Sequence, residues 1–340
     1  MDWIAVGIQA LKVVVIFHAL LGVAALCTFF ERRFAGWAQY RIGPNRVGPW
    51  GLLQPVADLI KFLFKENPIP DGAHNALFRV APLFAAVPAL MTFAVIPFGS
   101  HVEIFGRRVS LVGADIDVGV LYFLAIGSLS VYGIILGGWA SNNKYSLLGG
   151  LRASAQVISY ELVLVLAVIG VVLVSGTLRL GGILAAQEQG LWNIFRQPLG
   201  FVVFLAAAFA ETNRHPFDFA ECESELVAGY HTEFASMRFA MYFIGEYAAM
   251  ITMSAMMATL YFGGPLIPGL PLEVTPWWAG LGAFAVKTGF FLFLYMWVRW
   301  SLPRFRFDQL MTIGWKVLLP LALLNIVLTG AWVSLTGGTA

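Results

Sequence analysis

The stretch ISYELVLVLAVIGVVLVSG, residues 158–176, decides what kind of protein this is. From Leu162 to Val174 it offers no charge, no amide and no hydroxyl. Taken from 154 to 175, it supplies the ~20 apolar residues a helix needs to cross the ~30 Å core of a bilayer. One acid, Glu161, stands inside it. Seven more segments have the same character: 4–30, 77–98, 118–138, 191–210, 239–262, 277–298 and 314–335. Arg196, Gln197 and Pro198 interrupt the 191–210 segment, so its helix is expected to begin at Pro198, where a missing N–H costs nothing. Of 340 residues, 59% are hydrophobic and 12% charged, and mean hydropathy is +0.79. The chain reads as an all-α polytopic membrane protein, a single integral domain over 1–340 with about eight transmembrane helices.

Composition also excludes. A net charge of +2 gives no footing for nucleic acid. Cys27 and Cys222 are too few for an iron–sulfur cluster or a zinc site, and no CxxCH haem attachment or other metal motif exists. Asp2 and the long apolar run after it do not resemble a secretory signal.

Lysine and arginine set the expected orientation. Apart from Lys12 and Lys287 within spans, alternate loops hold fifteen cations on one side against Arg107, Arg108, Arg179 and Arg196 on the other. The basic loops are therefore expected in the cytoplasm and both termini outside.

Two of those inside loops carry chemistry. The first, 31–76, contains ERRFAGWAQYRIGPNRVGPWGLLQPVADLIKFLFKENPIP and is punctuated by Gly43-Pro44 and Gly48-Pro49. Between 51 and 65, Gln54, Asp58, Lys61 and Lys65 recur at helical spacing beside Leu53, Val56, Leu59, Ile60 and Leu63. That pattern predicts an amphipathic helix, too short to cross and suited to the interface. Cations beside apolar surface, with a second knot at Arg299, Arg304 and Arg306, suit a lipid-soluble ligand with a polar head. A quinone and an anionic phospholipid both answer that description.

The second loop, 211–236, gathers Glu211, Asp218, Glu221, Glu223, Glu225 and Glu233 against Arg214, almost a third of the 19 acids. A helix over 217–226 would put Asp218, Glu221 and Glu225 on one face, where like charges would titrate as a coupled set. A solvated acidic loop, a divalent-cation site and a proton-handling cluster all compete; the spacing and glycine of an EF-hand are missing. Glu161 and Glu246 within apolar segments favour the third, because buried ionisable groups in membranes are costly. His18 reads as a packing residue, and Lys287 as a counter-ion or a snorkelling cation. Met250, Met253 and Met257 continue the face of Glu246, as gap-filling packing or as the wall of a tail tunnel.

The GPNRVGP loop, the stretch AETNRHPFDFAECESELVAGYHTEF and the stretch RWSLPRFRFDQLMTIGWKVLLPL resemble the signatures of the quinone-site membrane subunit of respiratory NADH:quinone oxidoreductase, complex I. The resemblance spans essentially the whole chain; His215 and Cys222 depart from the second signature but leave the acids intact. It implies a component of an energy-transducing membrane, most simply a bacterial inner membrane, that binds quinone as substrate and holds no redox cofactor of its own. Flavin and iron–sulfur clusters would sit in peripheral partner subunits. Small membrane subunits, antiporter-like subunits and lipids would be its other neighbours. By matching motif positions, Arg32, Gln39, Arg41, Asp58, Lys61, Phe243 and Arg299 would line or support the quinone path. Glu161, Glu211, Asp218, Glu221, Glu223, Glu225 and Glu246 would form an acidic relay toward the pumping subunits, with Arg214 placed to pair with Glu211. The homologous subunit of a membrane-bound hydrogenase is the alternative. A standalone proton-coupled transporter is a third reading, and it would show inverted repeats that are not evident here.

Overall fold

The computed structural model describes residues 3–104, 106–221 and 223–335. Its apolar segments are helices because in a bilayer each backbone N–H and C=O must find its partner within the segment. The first, α1 (Trp3–Ala38), has 36 residues and is ~54 Å long. It therefore runs past the expected end at 30, and Glu31, Arg32 and Arg33 continue it. Glutamate and arginine are good helix formers, and the helix stops only before Tyr40, which adopts φ 52°.

The loop after α1 holds α2 (Gln54–Phe64), the expected amphipathic helix, with a proline in its first turn. It lies against the N-terminal part of α11 (Ser236–Tyr261): Ser236 Oγ donates to the Phe62 carbonyl at 2.8 Å, and Phe62 meets Phe239 with ring centroids 5.9 Å apart. Next come α3 (Asn75–Thr92), then α4 (Gly119–Ser128) and α5 (Ser130–Ala140), which run on as one span broken only at Leu129. A short antiparallel hairpin, β1 (His101–Ile104) and β2 (Arg107–Ser110), joins α3 to α4. The deciding stretch lies in α6 (Lys144–Ser175). Asn143 opens this helix by accepting from the Tyr145 N–H at 2.9 Å, and Gly176 closes it at φ 66°.

The remaining elements are α7 (Leu180–Gln189), α8 (Asn193–Arg196), α9 (Pro198–Glu211), α10 (Glu223–Leu226), α11, α12 (Trp277–Ser301), α13 (Phe307–Thr312) and α14 (Leu319–Leu335). A π-type turn, Ile313–Leu318, makes α13 and α14 one span. Seven helices of the described residues are long and apolar enough to cross a membrane. The fifth expected segment is the exception. As anticipated, its helix starts at Pro198, and its 14 residues reach only ~21 Å.

The most buried element is α11, packed against α3, α12 and α1. Gly245 permits its approach to α3, where a β-carbon would meet the Ala85 carbonyl at 2.9 Å, and Gly133 lets α5 close on the same residue, where a β-carbon would meet the Ala85 amide at 2.4 Å. Met250, Met253, Met256 and Met257 are buried among core side chains, which is packing and not the wall of a tunnel. Lys287 pairs with no acid among the described residues. Its ammonium donates to the carbonyls of Phe262, Gly264 and Leu266 at 2.7–2.9 Å and so fastens the chain that leaves α11. His18 Nδ1 lies 2.8 Å from the Val14 carbonyl one turn earlier.

Candidate functional site

Four elements bring charge together at one end of the bundle. Glu31 comes from α1, Arg214 from the turns after α9, Arg299 from the last turn of α12, and Glu246 from α11, ~15 Å along that helix. Arg214 Nη1 donates to both Glu31 oxygens, at 3.1 and 3.3 Å. Its Nε lies 2.7 Å from Glu246 Oε1, off the N–H axis, so that contact is Coulombic rather than a formed hydrogen bond. The Tyr247 hydroxyl donates to Glu31 Oε2 at 2.6 Å, and its ring lies 4.5 Å from the Arg214 guanidinium. Arg299 Nη1 closes onto Glu31 Oε1. One carboxylate thus faces two guanidiniums, and one guanidinium faces two carboxylates. Burial works against the charge on Arg214, but Glu246 and Glu31 outweigh it and hold its pKa well above the usual value.

Beside this network lies a cavity of about 50 Å³ bounded by Glu211, Glu221, Glu246, Asn213, Tyr230 and Tyr242. It has room for a few waters and not for a quinone ring. Glu211 reaches it with an Oε2 that has no hydrogen-bond partner among the described residues. Burial, then the Glu246 and Asp218 carboxylates, raise the Glu221 pKa well above the ordinary range; Arg214 and Arg299 oppose them without prevailing. His231 Nδ1 is 3.9 Å from Glu221 Oε1. Burial pulls the His231 pKa down to about 4, so at neutral pH the imidazole in this contact is uncharged. Asp218 receives Arg304 Nη2 at 2.9 Å, yet burial outweighs that pair and raises its pKa as well.

Three expectations are corrected here. Arg214 does not pair with Glu211; it reaches across to Glu31 and Glu246. No helix spans 217–226, for only Glu223–Leu226 is helical. That helix would have stacked three acids on one face with no cation between them. Instead the chain sends Asp218 to Arg304, Glu221 to the cavity, and Glu225 outward to Arg152 at 2.6 Å. Glu225 is therefore apart from the buried acids. Glu161 is half-buried on α6 and makes no ion pair among the described residues. Cys222 and the Glu223 side chain lie outside the described residues.

The residues expected along a quinone path fall into four places. Arg32 pairs with Asp58, which also receives Gln54 at 3.3 Å and has Lys61 at 3.7 Å. Arg41 Nε donates to Gln39 Oε1 at 2.7 Å on the exposed surface. Phe243 packs on Phe239, with ring centroids 4.6 Å apart, and near His231 at 6.2 Å. Arg299 belongs to the buried network. Sequence reasoning missed Glu31 and Tyr247. The only signal was position: Glu31 ends an apolar run, and Tyr247 follows Glu246.

Comparison with known proteins decides the family. The family model described as NADH dehydrogenase matches residues 11–330. The chain belongs to this family. It is 52% identical over 328 residues to an H-type subunit of the NADH-quinone oxidoreductase of Geobacter metallireducens, covering 96% of this chain and 97% of the relative. The H-type subunit of the same enzyme from Thermomicrobium roseum is 53% identical over 339 residues, with 97% of each chain covered. NADH-quinone oxidoreductase subunit 8 of Rhodothermus marinus is 48% identical over 340 residues, 96% and 97%. These relatives carry complex I names, and the family match runs from within α1 to within α14.

Proposed function

We propose that this chain is the membrane subunit of an NADH:quinone oxidoreductase that shapes the quinone path and passes the consequence of quinone reduction into an acidic relay. The observation that carries the reading is the buried Glu31–Arg214–Glu246 network beside a cavity walled by Glu211, Glu221 and Glu246. A membrane subunit with a purely anchoring role has no use for so many desolvated charges, each costly to bury.

The quinone takes two electrons and two protons to become the quinol; flavin and iron–sulfur clusters of peripheral subunits supply the electrons. Before its protons arrive, the reduced head is more negative than the quinone. Carboxylates within Coulombic reach then bind protons more tightly. Arg299, in the last turn of α12, contacts Glu31; Glu31 contacts Arg214; Arg214 contacts Glu246. A charge change felt at one end shifts the proton affinity of Glu246 and of the coupled Glu221 at the other. Glu211 and the half-buried Glu161 extend the acids toward neighbouring membrane subunits. On the access side, Arg32, Asp58 and Lys61 join α1 to α2, with Gln39 and Arg41 nearby in sequence and Phe243 on α11 beneath. Cytoplasmic basic loops and outward termini complete the reading.

The test is Glu246→Gln in the assembled complex. The expected result is that assembly is retained while quinone reductase activity or proton pumping falls about ten-fold or more, a barrier change of ~1.4 kcal/mol. Wild-type values for both remove Glu246 from the relay. For the path, Arg41→Ala is expected to raise the quinone KM, and unchanged kinetics remove it.

A further inference from the structure

A second cavity lies away from the acidic basin, between α1 and α12. It is an apolar groove of about 530 Å³, within the ~300–1,000 Å³ of pockets that hold small ligands, walled by Leu26, Cys27, Phe34, Leu292 and Phe293. Its one charged wall residue is Arg33. Along α1 it runs from Val23 to Trp37, ~21 Å at 1.5 Å per residue, so it follows the helix from mid-membrane to its polar end.

Three features select an occupant. Phe34 and Phe293 meet edge to face at 5.6 Å, so the walls touch. Their contact pinches the groove, and a flexible hydrocarbon chain follows a pinched groove that a rigid helix, ~10 Å across with its side chains, does not enter. Second, the hydrogen bonds of Arg33 among the described residues go only to the neutral carbonyls of Pro44 at 3.3 Å and Trp50 at 2.9 Å, both through Nη1. Its charge meets no carboxylate among the described residues, unlike Arg32, which has Asp58. Third, a β-carbon added to Gly289, on the groove wall, would meet nothing within 4 Å.

We propose that this groove holds one acyl chain of an anionic phospholipid of the leaflet facing the basic loops, with its phosphate against Arg33. The guanidinium matches a phosphate oxygen pair in geometry as well as charge. A quinone head is neutral and leaves the Arg33 charge uncompensated.

The experiment uses the whole purified oxidoreductase in mild detergent, with phosphatidylglycerol carrying a photoactivatable group in its acyl chain. Crosslinks are expected on residues 23–37 or 289–296, competed about ten-fold better by unlabelled phosphatidylglycerol than by phosphatidylcholine, the ratio one charge-assisted contact gives. Gly289→Leu fills the groove and should abolish labelling there while NADH oxidation stays unchanged. Arg33→Gln should erase the preference between the two lipids. The competition experiment needs no variant, so the proposal stays exposed even if a substitution impairs assembly. Labelling absent from both segments, equal competition by the two lipids, displacement by a long-tailed quinone instead, or a crosslink from the groove to a helix of another subunit would each overturn it.

Discussion

The Glu31–Arg214–Glu246 network and the Arg32–Asp58–Lys61 triad are built from the same side-chain types, and they begin at adjacent residues of one helix. The cations differ most: Arg214 retains 5% of its side-chain exposure, whereas Arg32 and Lys61 retain 53% and 60%; the acids Glu246 and Asp58 are alike at 17% and 18%, and Glu31 keeps 7%. The cause is helical geometry. Successive residues on a helix point ~100° apart, so Glu31 turns toward α11 and α12 while Arg32 turns toward α2 and solvent. The difference teaches that charge alone does not define the site. A sealed network makes each member depend on the others, while an exposed triad leaves its members nearly independent.

The strongest way to break that comparison is Arg214→Met. Removing the guanidinium strands Glu31 against Arg299 alone and leaves Glu246 without its cation. The expected cost is ~3–5 kcal/mol, the range for breaking a buried ion pair. It is read as lost assembly or a lowered midpoint in thermal unfolding of the complex. Combining it with Glu246→Gln should restore part of the loss, because the stranded charge is then gone. A wild-type midpoint for Arg214→Met alone would mean that the network is not sealed.

A middle-sized effect comes from His231. Its pKa is about 4 in the folded chain against an ordinary 6.5. A depressed pKa contributes stability that is complete above about 6.5 and is lost as pH falls toward 4, roughly 3 kcal/mol over that window. His231→Gln keeps a polar side chain of nearly the same volume without the titration. The variant should therefore lose less stability than the wild type between pH 7 and pH 4. Parallel pH profiles would place the acid sensitivity elsewhere, and not in Glu221 or Asp218, whose raised pKa values add stability as pH falls.

How much of this was legible in the sequence follows from the range of each interaction. Apolar runs are local, so the helices, the broken start at Pro198 and the amphipathic α2 could be read directly. The end of α1 could not, because a charge run looks like a loop whether or not the helix continues beneath it. Acids inside apolar segments flagged Glu161 and Glu246. Their partners were invisible: Arg214 lies three residues from Glu211 yet bonds to Glu31, 183 positions away, because α9 ends beside α1 in the bundle. Local spacing also misled over 217–226, where a regular helix was expected and the acids instead scattered to Arg304, the cavity and Arg152.

The exposed triad gives the smallest and most discriminating prediction. Asp58→Asn removes the carboxylate that Arg32, Gln54 and Lys61 share, but water can solvate both cations where they stand. Stability should change by no more than ~1 kcal/mol, and less in high salt, where the Debye length shrinks to ~3 Å at 1 M. Activity need not follow stability. If α2 and the end of α1 guide a quinone head, loss of Asp58 frees two cations at that threshold and should raise the quinone KM with kcat little changed. A destabilisation as large as that of Arg214→Met would erase the contrast between the two clusters. A small destabilisation with an unchanged KM would keep the contrast and reduce the triad to a hinge between α1 and α2. Only a stable complex with a raised KM leaves the exposed cluster its function, and it would show that the two neighbours on α1 were divided between guiding the substrate and sensing its charge.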